Sequence, residues 1–187
     1  ADLRLAWSDP QTRLFFWYLA LSMMFAFSQD LILEPFAGDV FSMPAHVTTR
    51  FAAYWGVTAI LGTIIFLVLG RRFKSMTNTF MSYLGVAVLM VAFAIFALSA
   101  FAGMRGLVTP GLLALGAGLG IWNVGTLGLM MDMSPVGRAG AFLGFWTLVV
   151  TFARGAGVSS GGIGHDVVLQ VTGVPATAYG LVFALGF

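Results

Sequence analysis

The acidic and amide side chains near residue 30 are the ones whose types and spacing could support chemistry. Gln29, Asp30 and Glu34 follow a long apolar run. An i, i+4 spacing would place both carboxylates on one face of a helix, and Pro35 should end that helix because it disfavours helical geometry at Glu34. Carboxylates at a helix C-terminus face the negative end of the dipole. They therefore need a cation, a hydrogen-bond donor, water or a proton.

Arg154 is the candidate cation for these acids. If the first and fifth apolar spans start near Arg13 and Arg138, a rise of about 1.5 Å per residue places Asp30 about 25 Å and Arg154 about 24 Å along them. An arginine in an otherwise apolar span needs a protein partner or a wet cavity. We therefore expect Arg154 to pair with Asp30 or Glu34. Separate snorkelling of these groups to interfacial water is the alternative.

His46 and His165 are candidate ligands for the magnesium of a chlorophyll-type pigment, because neutral imidazole is a good metal ligand. Both are expected in outer connections or at span ends, where an ordinary solvated histidine is the alternative. The sequence has no cysteine, and hence neither a thiolate metal site nor a disulfide. No Ser/His/Asp order, metal-ligand cluster or paired mid-membrane carboxylate suggests an enzyme. We therefore predict a non-enzymatic protein with no metal site of its own.

The composition predicts an all-α polytopic membrane protein. Of the 187 residues, 59% are hydrophobic and 9% charged, whereas soluble domains carry about 25% charged residues. Nine Lys and Arg residues are too sparse for a nucleic-acid surface, so no nucleic-acid partner is expected. A hydrocarbon core about 30 Å thick needs about 20 apolar helical residues. Spans suited to this length are Leu14–Leu33, Phe51–Gly70, Thr77–Met104, Gly106–Met131, Ala139–Gly164 and Val167–Phe187.

The placement of charges predicts the organisation of these six spans. Residues 1–13 are interpreted as an interfacial lead segment, with a disordered linker as the alternative, and residues 14–187 as a six-helix transmembrane unit. The basic connection Arg71–Lys74 should be cytoplasmic. Alternation then places both ends of the chain on the cytoplasmic side and the connection Phe36–Val47 outside. The chain begins without a methionine, and we expect it to be part of a longer protein.

Glycine spacing predicts close packing between the helices. The chain contains 24 glycines, including the G-x-x-x-G pairs Gly116/Gly120 and Gly140/Gly144. Such pairs let helix backbones approach closely within a membrane. We expect both pairs to serve helix packing, with a dedicated dimer face as the alternative.

Two stretches of the sequence carry a family resemblance. The first is Q-D-L-I-L-E-P-F-A-G, which contains Gln29, Asp30, Glu34, Pro35 and Gly38. The second is G-A-F-L-G-F-W at positions 140–146, which runs on to Asp166. In order and spacing, they resemble the C-terminal half of the PucC/LhaA family, the bacteriochlorophyll-delivery branch of the major facilitator superfamily. Arg154 and residues 147–152 are less typical of that family.

The resemblance implies a C-terminal six-helix half of a major-facilitator-type fold, namely helices seven to twelve with the last one incomplete. It implies a factor for light-harvesting antenna assembly in the inner, photosynthetic membrane of a purple phototroph. Bacteriochlorophyll is the implied cofactor or cargo. The implied partners are antenna polypeptides or a reaction-centre antenna complex, the lipid membrane, and the N-terminal half of the same protein.

A solute or proton-coupled major-facilitator transporter is the alternative function. In that case Asp30, Glu34 and Arg154 would line an alternating-access pathway. Transporters usually place their coupling site at the membrane midplane. These acids are expected outside it. The sequence therefore favours the assembly role.

Overall fold

The computed structural model describes residues 9–134, 137 and 139–186. Most of the predicted lead segment, and Arg138, lie outside the described residues. Within them every regular element is helical and no strand occurs. The α-helices are α1 (Pro10–Phe27), α2 (Leu33–Phe41), α3 (Ala45–Thr48), α4 (Phe51–Arg72), α5 (Asn78–Ala102), α6 (Val108–Met133), α7 (Ala139–Thr172) and α8 (Pro175–Leu185). A short 3₁₀ turn, Arg105–Leu107, precedes α6.

Local capping explains where α1 begins. Asp9 Oδ2 accepts hydrogen bonds from the Thr12 N–H at 2.8 Å and from the Thr12 hydroxyl at 2.6 Å, as expected of an N-cap residue. Pro10 occupies the first helical position, where its missing N–H costs nothing. The Thr12 hydroxyl, followed by the Thr12 N–H, holds the pKa of Asp9 below its usual value. The first helix therefore starts before the predicted position, Leu14.

The course of α7 corrects the predicted boundary between the fifth and sixth spans. The prediction separated two spans at the polar residues His165 and Asp166, but α7 runs through them to Thr172. The helix tolerates both because the Asp166 side chain is 74% exposed and the His165 ring packs on Tyr179. The chain leaves the helix at Gly173, whose φ of 65° is a conformation that favours glycine.

The connection predicted to lie outside, residues 36–47, is largely helical. Within α2, Phe36 and Ala37 are fully buried, and the Phe36 ring lies 5.1 Å from the Phe183 ring of α8, centroid to centroid. Ser42, with a left-handed φ of 51°, ends this helix. The prediction missed α2 because a nine-residue helix falls below the length used to recognise a membrane span.

α6 is the central helix of the packing. α4 and α5 both pack along α6, whereas α1 packs along α7, and α8 contacts both α5 and α7. One continuous apolar core runs through these elements and includes Phe16, Phe93, Leu115 and Phe183. The side of α4 that faces away from α6 is apolar and exposed.

Glycines allow α4 to approach α6 closely. A Cβ at Gly116 would overlap the Trp55 carbonyl oxygen and Thr58 Oγ1. A Cβ at Gly120 would overlap the Ala59 carbonyl oxygen. The first predicted G-x-x-x-G pair therefore brings two helix backbones together, which confirms its expected role.

The second predicted pair, Gly140/Gly144, does not pack against any described residue. A Cβ at either position would meet nothing within 4 Å, because both glycines lie on an exposed face of α7. α7 instead uses Gly157 and Gly161, where an added Cβ would overlap backbone carbonyl oxygens at the end of α1. The packing role predicted for the second pair is therefore wrong within the described structure.

Four helical segments are long and apolar enough to cross a membrane: Ala45–Arg72, Asn78–Ala102, Arg105–Met133 and Ala139–Thr172. They confirm an all-α polytopic membrane protein. α1 is not among them, and the 11 residues of α8 rise only about 16 Å against a hydrocarbon core of about 30 Å. The count of six spans and the major-facilitator-type fold stay predictions.

Single-cysteine labelling tests the orientation of α4. His46 precedes this helix and Ser75 follows it, and its 22 residues rise about 33 Å. The chain has no native cysteine, so His46→Cys and Ser75→Cys each introduce one thiol. We expect a membrane-impermeant maleimide to label His46→Cys in intact cells and Ser75→Cys only after permeabilisation, because the basic connection should be cytoplasmic. Labelling of both thiols in intact cells would contradict this orientation.

Paired glycine substitutions test the packing of α4 on α6. Gly120→Ala should lower the free energy of unfolding by about 1–3 kcal/mol, because its Cβ forces two backbones apart. Gly140→Ala is the matched control. It meets no neighbour, and alanine favours a helix over glycine by about 1 kcal/mol, so this variant should be as stable as the parent or more so. Thermal unfolding of both purified variants in the same detergent gives the comparison. Equal losses of stability in the two variants would show that the close contact at Gly120 does not determine the stability of the protein.

Candidate functional site

A tight break separates α1 from α2. The Ser28 and Asp30 N–H groups donate to carbonyl oxygens three residues earlier, those of Phe25 at 3.2 Å and Phe27 at 3.1 Å. The Ser28 hydroxyl donates to the same Phe25 carbonyl oxygen at 2.8 Å. Serine side chains compete in this way with regular helical hydrogen bonds. The backbone therefore turns here and presents Asp30 just beyond the end of α1.

Arg154 of α7 reaches this break and pairs with Asp30. Its Nη2 lies 2.9 Å from Asp30 Oδ2, and its Cζ lies 4.4 Å from the centroid of the Phe27 ring. One guanidinium thus makes a charge-assisted hydrogen bond and a cation–π contact. The side chains are 50% exposed for Arg154 and 27% for Asp30, so the pair borders open space. It links α7 to the break that follows α1.

Glu34 stands apart from this pair, which corrects the expected geometry of the two acids. The acids do not share a face of one helix, because α1 ends before Asp30 and α2 begins after it. Glu34 is exposed in the first turn of α2, where the positive end of the helix dipole favours a carboxylate. Pro35 also belongs to this first turn, where N–H groups have no helical partner to lose. Pro35 therefore helps to begin α2 and does not end α1.

The remaining residues of the quoted motif have contrasting surroundings. Gln29 is buried, and its Nε2 donates to the Ala26 carbonyl oxygen at 3.4 Å, whereas its Oε1 has no described partner. Gly38 lies within α2, and a Cβ there would meet nothing within 4 Å. The motif therefore covers the junction of α1 and α2, with Gln29 directed inward and the carboxylates at the surface.

A second polar cluster joins α2, α7 and α8. The Tyr179 hydroxyl donates to Asp39 Oδ2 at 2.6 Å. The His165 ring lies on the Tyr179 ring, with centroids 4.2 Å apart, and His165 Nδ1 is 3.1 Å from Asp166 Oδ1. These contacts connect three elements that are far apart in sequence.

Neither histidine offers a good fit to a pigment magnesium. His165 Nδ1 already bonds Asp166, its Nε2 is buried, and one ring face is covered by Tyr179. His165 Nδ1 is therefore engaged, and its Nε2 is enclosed by the described residues. His46 is exposed on the four-residue helix α3, so no enclosed environment surrounds its ring. Both positions suit structural or surface histidines better than axial ligands.

The sequence prediction missed the contact between Asp39 and Tyr179. Asp39 directly follows the quoted motif, and Tyr179 lies in an apolar stretch. A tyrosine in an apolar helix needs a hydrogen-bond partner for its hydroxyl, and this was the available signal. The partner itself is 140 positions away in the chain, and only the fold brings the two together.

One family matches the chain over its entire length. The family described as PUCC protein matches residues 1–187. The chain belongs to the PUCC protein family. This confirms the resemblance drawn from the two sequence stretches. No solved structure gives a significant match to the chain.

Curated relatives of this PUCC family member are about one-third identical to it. The chain is 33% identical over 97% of its length to the "Bacteriochlorophyll synthase 44.5 kDa chain" of Rhodobacter capsulatus, of which it covers 42%. It is 32% identical over 89% of its length to "Protein PucC" of Rhodovulum sulfidophilum, of which it covers 37%. It is also 32% identical over 83% of its length to "Protein PucC" of Cereibacter sphaeroides, of which it covers 34%. The chain thus spans less than half the length of these relatives.

A double-mutant cycle tests the link between Arg154 and Asp30. Arg154→Met and Asp30→Asn should each lower the free energy of unfolding by about 1–2 kcal/mol, less than the 3–5 kcal/mol of a fully buried pair, because both side chains are partly exposed. The combined variant should lose less than the sum of the two, since it leaves no unpaired charge.

Glu34→Gln is the control for this cycle, because Glu34 is exposed and no described cation forms an ion pair with it. We expect its unfolding temperature to fall only slightly, because the neutral amide loses just a helix-dipole contribution of about 0.3–1 kcal/mol. Thermal unfolding in detergent provides all four values. Simple additivity in the combined variant would show that Arg154 and Asp30 do not stabilise each other.

Proposed function

We propose that this chain is part of a light-harvesting antenna assembly factor of a purple phototroph. In this role it handles bacteriochlorophyll, antenna polypeptides or both within the inner, photosynthetic membrane. The observation that carries the proposal is the match of the PUCC protein family to residues 1–187. The name of one relative, a bacteriochlorophyll synthase chain, associates the family with this pigment.

The shape of the described structure supports a role at apolar surfaces. α4 presents a long exposed face of large aliphatic side chains, which includes Val57, Ile60, Ile64 and Val68. α7 adds exposed residues such as Leu148 and Phe152. In a membrane these faces meet lipid, hydrophobic pigment or other helices, and contact between helices there depends on shape and packing. Such surfaces suit a protein that receives small transmembrane polypeptides or apolar pigments.

A catalytic role in bacteriochlorophyll formation is the second candidate, favoured by the name of the Rhodobacter capsulatus relative. The proposal is non-catalytic: the partners are bound and released without covalent change. The two roles differ in what accumulates when the protein is lost. An enzyme leaves its substrate, a pigment precursor, whereas an assembly factor leaves finished pigment and unassembled polypeptides.

Deletion of the gene for the full protein tests the proposal. We expect the antenna absorbance to fall several-fold relative to the reaction centre, without accumulation of a pigment precursor, and complementation with the parent gene to restore it. Whole-cell spectra and chromatography of extracted pigments provide the measurements. Accumulation of one precursor would favour the catalytic role. An unchanged antenna with lost uptake of a solute would favour the transporter.

Purification of the tagged full-length protein in mild detergent tests the partners directly. We expect antenna polypeptides or bacteriochlorophyll to elute with it in amounts above those retained by an unrelated polytopic membrane protein from the same cells. Equal retention by both proteins would contradict specific handling of these partners.

A further inference from the structure

A cleft lies between α4 and α5, over α6. α4 and α5 both pack on α6 and leave between them a space of about 390 Å³. Side chains such as Phe66, Leu67, Met81 and Leu127 make its walls largely apolar. An apolar cleft holds water poorly, and an empty one would forfeit dispersion contacts along its lining. Inside a membrane, this cleft should therefore hold a hydrocarbon chain.

One end of the cleft is basic. Arg71, in the last turn of α4, lines it; Arg72 ends the helix, and Lys74 lies in the connection that follows. No described acid forms an ion pair with Arg71. One negative charge lies near this end: Asp132 Oδ2 accepts a hydrogen bond of 2.8 Å from Asn78 Nδ2. Arg71 therefore has no carboxylate partner among the described residues, and the nearby Asp132 is already engaged.

The lining of the cleft runs from apolar side chains to a cationic end. From Thr63 to Arg71, the lining part of α4 rises about 12 Å. Along that length the wall of the cleft is apolar, and Arg71 stands at its end. An amphiphile with an acyl chain and an anionic head group matches this combination of an apolar wall and a cationic end.

We infer that the α4–α5 cleft binds a membrane phospholipid with an anionic head group. Its acyl chain lies between Leu67 and Leu127, and its phosphate meets Arg71. Basic pockets between transmembrane helices bind anionic lipids through this combination of head-group charge and chain burial, and a guanidinium can make paired hydrogen bonds to a phosphate. The inference concerns a lipid site and is independent of the function proposed above.

Brominated lipids test the site through a tryptophan reporter. Phe66→Trp places an indole in the cleft, and its fluorescence is read in nanodiscs after subtraction of the signal from the parent protein. The discs contain unlabelled phosphatidylcholine with a small fraction of brominated phosphatidylglycerol or of brominated phosphatidylcholine carrying the same chains. We expect phosphatidylglycerol to quench the reporter at a mole fraction several-fold lower than phosphatidylcholine does. Equal quenching by the two lipids would overturn the inference.

Three variants separate the cleft from general lipid contact. A reporter at Leu148→Trp, on the exposed face of α7, should show no preference between the lipids. In the Phe66→Trp background, Arg71→Gln should abolish the preference, whereas Arg105→Gln, beyond the opposite end of α5, should retain it. A preference for phosphatidylglycerol that survives Arg71→Gln, or that appears equally at the Leu148→Trp reporter, would overturn the inference. It would show that the quenching comes from lipid that surrounds the protein generally.

Filling the cleft tests the chain-binding part of the inference separately. Gly70 lines the cleft, and a Cβ there would make only ordinary contact, 3.4 Å, with Met81 Cε. Gly70→Leu should therefore fold, while its side chain occupies the acyl position. We expect it to reduce phosphatidylglycerol quenching several-fold with Arg71 unchanged. Undiminished quenching would show that the lipid chain lies elsewhere.

Discussion

Direct contact between helix backbones at glycine is the constraint on which the rest of this structure depends. Within a membrane, apolar side chains gain little by leaving lipid for another helix, so association depends on close packing. Gly116 and Gly120 let α4 lie on α6, and Gly157 and Gly161 let α7 lie on the end of α1. Larger residues at these positions would separate the helices. The exposed face of α4 and the cleft beside it follow from this arrangement.

The break between α1 and α2 determines which polar groups meet. Because the chain turns after Phe27, Asp30 faces Arg154, while Phe36 and Asp39 of α2 reach Phe183 and Tyr179 of α8. Each ionisable group of these two clusters therefore has a partner from another element or lies at an exposed edge. Such partners reduce the cost of placing polar groups in an apolar environment. The two clusters thus add polar links to the apolar packing of α2 and α8.

In this PUCC family member, the ion pair and the exposed apolar faces lie in different parts of the described structure. The Arg154–Asp30 pair is partly exposed and connects two elements, which suits structural positioning. The exposed aliphatic side chains lie elsewhere, on faces of α4 and α7. The basic end of the α4–α5 cleft adds a place where a charged and an apolar group could bind side by side.

The sequence by itself determined the all-α membrane class, the family, the packing of Gly116/Gly120 and the pairing candidates for Arg154, because composition, span length and motif order are properties of the chain. It misplaced the start of α1, the role of Pro35 and the end of α7, because capping by Asp9 and packing of His165 on Tyr179 depend on neighbours. Only the tertiary structure chose Asp30 over Glu34, left Gly140 without a packing partner, and joined Asp39 to Tyr179. These outcomes depend on which elements meet in space, and local spacing carries no information about a partner more than 100 positions away.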